Sequence, residues 1–247
     1  MASPIALRDG SDARPVRILQ LFEHLELLAE GEPPSNSLFI LGKAPLDPAL
    51  IDPSDELLIV DPPPDLRERY KVQERTAVLF TGASVAVGFP AVLTMAGGEA
   101  HLRIGQHFVD LYPTRAGTAL YLPAVGLIAA GDYGSDQAPP RIVPGSDGGE
   151  ELEMLRLLAR LLKSRHFQLF VPRIGQMEND PLAVMNRLAA DVSYLHNLRR
   201  VMPAAGLRGD SPAQLEQMAE SLLPEGWRSA AGRQRHRENI DVLVQTG

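Results

Sequence analysis

Short apolar runs fill the first half of the chain, and longer stripes of helical period fill the second. Residues 1–14 are polar and read as a flexible N-terminus. The run 16–28 predicts an early strand. Residues 37–41 and 56–60 are brief apolar runs bounded by turn residues, which suits buried strands. Asp61-Pro62-Pro63-Pro64 stops the second of these, because proline cannot donate to a sheet ladder. Residues 76–80 predict another strand, and 102–104 with 108–111 a pair joined across Gly105-Gln106. Residues 119–122 and 127–130 predict a β-hairpin that delivers Asp132 to the end of a buried strand.

The period then changes. Within 150–163, Leu152, Leu155, Leu158, Leu161 and Leu162 recur at helical spacing. One more strand falls at 168–171. A long amphipathic helix covers 181–201, carrying Leu182, Met185, Leu188, Val192, Leu195 and Leu198. Residues 212–223 and 233–244 predict two further helices, the first capped by Ser211 with Pro212 in its opening turn. The stretch 135–149 is rich in Pro, Gly, Ser and Asp and reads as a surface loop rather than a domain boundary, since the strand at 168–171 has to rejoin a sheet. Residues 15–247 therefore read as one domain.

Composition narrows the chemistry. The chain has no cysteine, which excludes disulfides, thiolate metal sites and cysteine nucleophiles. A net charge of −7 argues against a nucleic-acid surface. No stretch reaches the roughly 18 apolar residues of a membrane span. The first 17 residues carry no basic segment followed by an apolar run, so no signal peptide is expected and the cytoplasm is the default location.

Two motifs compete for attention and fail. Thr81-Gly82-Ala83-Ser84 after a strand resembles the opening of a short-chain dehydrogenase, but Ala86 replaces the middle glycine of that fingerprint. None of Tyr70, Tyr112, Tyr121, Tyr133 and Tyr194 has the lysine four residues on that such enzymes use. The same turn approaches the nucleophile elbow G-x-S-x-G without its last glycine, and no base is placed beside it.

Residues 101–132, 167–175, 181–200 and 236–244, in that order and spacing, resemble the metallo-β-lactamase superfamily from about Ser35 to the C-terminus. The resemblance implies a four-layer αββα sandwich, two mixed β-sheets face to face with helices outside. Active members hold metal-bound hydroxide, since zinc lowers the pKa of water to about 7. Their ligands come from an H-x-H-x-D-H turn, a P-G-H-T turn, a bridging Asp and a P-G-H-G turn. This chain keeps the bridging Asp as Asp132. Gly82, Ser84, Ala86 and Val87 stand at the first-motif ligand positions, Arg115 at the second and Ile174 at the last. None is a plausible metal donor. His24, His101, His107, His166, His196 and His236 form no H-x-H or H-x-x-x-H pair and read as surface or loop residues.

A buried carboxylate needs a partner. Arg115, or failing that Arg173, is the expected replacement cation for Asp132, through a bidentate pair. The competing reading leaves Asp132 on backbone N–H groups with both arginines in water. Function follows as an expectation: a non-catalytic protein of this fold with a dismantled metal site and no cofactor, acting on an unknown protein or small molecule. A homodimer or a pairing with an active homologue are the open partner classes, with no nucleic acid and no membrane. Apolar Val85, Val87 and Ile174 would fill the old pocket. The alternative is a hydrolase around Asp132, Ser84 and Arg115, either metal-free or using zinc or another divalent metal.

Overall fold

A computed structural model describes residues 6–7, 16–22, 24–42, 56–63, 66, 70–71, 76–82, 92–93, 99–105, 107–208 and 211–246. The strands are β1 (Ala6–Leu7), β2 (Val16–Phe22), β3 (Leu25–Glu30), β4 (Ser35–Leu41), β5 (Leu57–Val60), β6 (Tyr70–Lys71), β7 (Thr76–Leu79), β8 (Val92–Leu93), β9 (Ala100–Ile104), β10 (His107–Thr114), β11 (Gly117–Leu122), β12 (Leu127–Gly131) and β13 (Leu169–Pro172). The helices are α1 (Gly149–Ser164), α2 (Pro181–Arg208), α3 (Pro212–Leu222) and α4 (Ala230–Thr246). Among the described residues no helix is long and apolar enough to cross a membrane.

Two mixed sheets stack face to face. One runs β2-β3-β4-β5-β7-β8, with β5, β7 and β8 parallel. The other runs β13-β12-β11-β10-β9, with β12 and β13 parallel. Leu27, Leu38, Ile40, Leu58 and Val60 from the first sheet meet Val109, Leu111, Leu120, Leu122 and Val171 from the second. Their alternation along each strand puts every second side chain into this shared core. The opposite face of the second sheet, with Ala119, Tyr121, Ile128 and Phe170, packs on Leu155 and Leu158 of α1 and Leu195 and Leu198 of α2. Leu28, Phe39 and Ile59 on the outer face of the first sheet close over Leu66. The expected α/β sandwich is the observed fold.

Local details depart from the sequence pattern. The strand expected over 16–28 is a hairpin, β2 folding onto β3 with Phe22 opposite Leu25, because Glu23-His24 interrupts the apolar run. Ala6 and Leu7, inside the stretch expected to be flexible, pair with Lys71 and Tyr70. Helix α2 continues past 201 through Pro203, and fully buried Met202 and Ala205 show why: core packing outweighs the local cost of proline.

The largest correction is the segment 135–149. It is not a surface loop. Ala138, Ile142 and Val143 are buried, and side chains distant in sequence satisfy its backbone. Asn239 accepts from the Ile142 N–H and donates to the Pro140 carbonyl, both at 2.8 Å. The Glu151 carboxylate accepts from the Val143 N–H at 2.7 Å and the Ser146 hydroxyl at 2.6 Å. Trp227 donates to the Ser135 carbonyl at 3.2 Å.

Candidate functional site

The parallel strand pairs of the two sheets end at the same edge of the sandwich. Asp61 follows β5, Thr81 and Gly82 follow β7, Asp132 follows β12 and Arg173 follows β13. Register explains the meeting of the last two. Gly131 pairs with Pro172, so the next residues on each strand, Asp132 and Arg173, emerge side by side.

Asp132 Oδ1 accepts from Arg173 Nε at 2.9 Å and from its Nη2, and from Arg235 Nη1 of α4 at 3.0 Å. The Asp132 and Arg235 side chains are 5% and 7% exposed, and Arg173 is 19% exposed. Burial alone would raise the Asp132 carboxyl, but the Arg173 and then the Arg235 guanidinium outweigh it and hold it below the ordinary carboxylate range. Asp132 is therefore an anion clamped between two cations. The other oxygen, Oδ2, faces Gly82, where a Cβ would lie 3.0 Å away.

Asp61 sits beside this clamp. Its backbone is left-handed, with φ of 51°, and its carboxylate accepts from the Thr81 N–H at 2.8 Å and from the Thr81 hydroxyl. Burial raises its pKa to about 6, against the opposing pull of Arg173 and the Thr81 bonds. Native Asp61 thus keeps a proton that the unfolded chain releases near 3.8. Between those values the folded state binds more protons, so this group's contribution to stability falls as pH rises from about 4 to about 6, by roughly 3 kcal/mol at most. Asp61→Asn keeps an acceptor for the Thr81 N–H and is expected to flatten that part of the profile. Urea denaturation at stepped pH reads it; an unchanged slope would assign the effect to another group.

Several expected residues lie elsewhere. Arg115 does not reach Asp132. It stands in the β10–β11 turn, 85% exposed, and pairs with Glu150 at 2.8 Å. Ile174 is half-buried and bridges to Ser35 of the other sheet. Ser84, Ala86 and Val87, with Val85, lie outside the described residues. The histidines are not all superficial: His107 and His236 are buried, the His107 ring lying tilted against that of His24 with centroids 5.0 Å apart and His236 Nδ1 lying 2.8 Å from the Tyr194 hydroxyl. Asp61 and Arg235 were missed as site residues. Asp61 carried a signal, since it ends a buried apolar run as Asp132 does.

The described residues do not fit a metal ion. Asp132 Oδ1 already takes three guanidinium N–H groups, Gly82 offers no donor, and no three His, Asp or Glu side chains converge among the described residues. A divalent cation at Oδ1 would also face the charges of Arg173 and Arg235.

No protein-family model matches the chain, and no curated protein matches it. Solved structures do. The inverting sec-alkylsulfatase Pisa1 from Pseudomonas sp. aligns with a TM-score of 0.60 at 9% identity, over 93% of this chain and 50% of that one. This chain therefore spans half the length of that sulfatase. A diflavin flavoprotein fragment from Nostoc sp. aligns with a TM-score of 0.49 at 13% identity, over 73% of this chain and 99% of that one. A metallo-β-lactamase from Pontibacter korlensis aligns at 0.46 and 12% identity, over 74% of this chain and 100% of that one. The fold is one that this chain shares with that sec-alkylsulfatase.

Proposed function

We propose that this chain is a non-catalytic protein of the metallo-β-lactamase fold that acts by binding, with its former metal centre converted to an arginine–aspartate clamp. The observation that carries this reading is the engagement of Asp132 Oδ1 by both Arg173 and Arg235. A carboxylate held this way is a poor general base near neutral pH, because its depressed pKa gives little driving force for proton abstraction. It is also a poor metal bridge, because two guanidinium groups engage Oδ1 and set their charge against a cation there.

A hydrolase centred on the same edge is the second reading, and Asp61 is what favours it. A carboxyl titrating at about 6 lies in the range of a working general base. Against it, both Asp61 oxygens are engaged by Thr81.

Elemental analysis of the purified chain after incubation with zinc, manganese and iron separates the two. The expected result is no stoichiometric metal, with a melting temperature unmoved by chelator. Stoichiometric metal that chelation removes with a loss of stability would put the hydrolase reading first.

A further inference from the structure

One edge of the two-sheet core is open. In the β2–β3 hairpin, Arg17 pairs with Ala29 and Leu19 with Leu27, so these four side chains share one face. The loop after β13 faces them with Met177. Between them lies a cavity of about 150 Å³, walled by Leu19, Leu27, Ala29 and Met177 and bordered by Arg17 and Glu32. Its lining is about half polar, with Asn36 and Gln176 beside the apolar walls, and its volume suits a small molecule of about benzene size. Leu19, on its wall, is 39% exposed. The Arg17 and Glu32 side chains have no ion-pair or hydrogen-bond partner among the described residues.

The far wall is already built. Asn36 Nδ2 donates to the Pro172 and Gly175 carbonyls at 2.8 Å each, the Gly175 N–H donates to the Pro34 carbonyl at 2.8 Å, and the Gln176 N–H donates to Asp136 at 2.9 Å. A ligand entering here would not have to order the loop, which removes a main cost of binding.

We propose that this slot binds a small zwitterion with an apolar side group, the chemistry of an aliphatic α-amino acid. The apolar walls take the side group, Arg17 takes the carboxylate and Glu32 takes the ammonium. Two opposite charges lining one cavity, neither with a partner among the described residues, favour a ligand carrying both signs over a simple fatty acid or amine. The slot is separate from Asp132, so it stands whether or not the edge site holds a metal. The Asn36 N–H, which donates to the Arg173 carbonyl at 2.7 Å, is one link between the two.

The test uses the full chain with ¹³C-methyl methionine, titrated with L-leucine, with 4-methylpentanoate, which lacks the ammonium, and with 3-methylbutylamine, which lacks the carboxylate. Leucine is expected to shift the Met177 methyl signal, assigned through Met177→Leu, and to bind about tenfold more tightly than either analogue. Arg17→Gln should weaken leucine about tenfold and leave the amine unchanged; Glu32→Gln should weaken leucine and leave the carboxylate analogue unchanged. Both variants change exposed side chains, and their melting temperatures confirm folding. No Met177 shift with leucine, or leucine affinity untouched by both variants, overturns the proposal. So does a carboxylate analogue that binds as tightly as leucine, which would make the slot an anion-headed amphiphile site.

Discussion

Asp132→Ala is expected to cost about 3–5 kcal/mol of folding stability, read as a drop in the urea midpoint at unchanged m-value. The substitution removes the anion from a pocket where two arginine side chains are largely buried, and it leaves them facing each other. Arg141 adds a third positive charge to the field at Arg235, so the repulsion is not local to one pair. Removing one partner of a buried ion pair is far costlier than replacing the whole group, because the surviving charges keep their desolvation penalty, here offset only in part by Glu238 near Arg235 and by Asp61 near Arg173. Asp132→Asn tests the same logic at nearly constant volume. It keeps an acceptor but loses the charge, and should recover only a small part of the loss. Arg115→Ala is the control: an exposed pair with Glu150 should be worth less than about 0.5 kcal/mol. An Asp132→Ala cost no greater than that of Arg115→Ala would mean that the clamp does not hold the edge of the sandwich. Against a total stability of about 5–15 kcal/mol, the expected loss would leave the domain marginal.

The contrast between Arg115 and Arg173 also shows what a sequence can reveal about such a site. Alignment to a motif put Arg115 at a ligand position, and nothing in its neighbours argued otherwise. What decides the partner is register. Arg173 follows the strand that pairs in parallel with β12, whereas Arg115 sits at a hairpin tip within reach of the start of α1. The apolar runs that became β4, β5, β7 and β10 to β13 were legible because burial on a sheet leaves a direct mark on composition. The segment 135–149 was misread for the opposite reason. Its prolines, glycines and serines describe an irregular backbone, and irregular backbone is usually at the surface. Here Asn239 and Glu151 satisfy its polar groups from helices, so it could be buried. Arg235 had no local signal at all: its partner lies 103 residues away, and a single arginine on a polar helix looks like any solvated one.

The clamp depends on a second contact between the sheets, and this sets the other large effect. Gly117→Ala is expected to destabilise the chain by about 3 kcal/mol or more. Gly117 opens β11 with φ of +138°, and a Cβ there would lie 2.2 Å from the Thr81 carbonyl oxygen. That oxygen accepts from the Thr118 N–H at 2.8 Å, which ties the start of β11 in one sheet to the end of β7 in the other. Thr81 in turn gives both its N–H and its hydroxyl to Asp61. A methyl at 117 cannot be relieved by a side-chain rotation, because the atom it meets is backbone. Either Thr81 moves and loosens its hold on Asp61, or β11 lifts from the edge. Gly145→Ala separates the two contributions, since φ there is +81° and a Cβ would meet nothing within 4 Å. It should show only the backbone term, about 1–2 kcal/mol. The excess at Gly117 then reports the close approach together with the costlier backbone region near φ of +138°. It should come with a changed titration of Asp61, because the Thr81 bonds that oppose its raised pKa would weaken. Equal costs for the two glycine variants, with Asp61 titrating as before, would show that Thr81 is not held by this contact and that the edge is organised by the arginines alone.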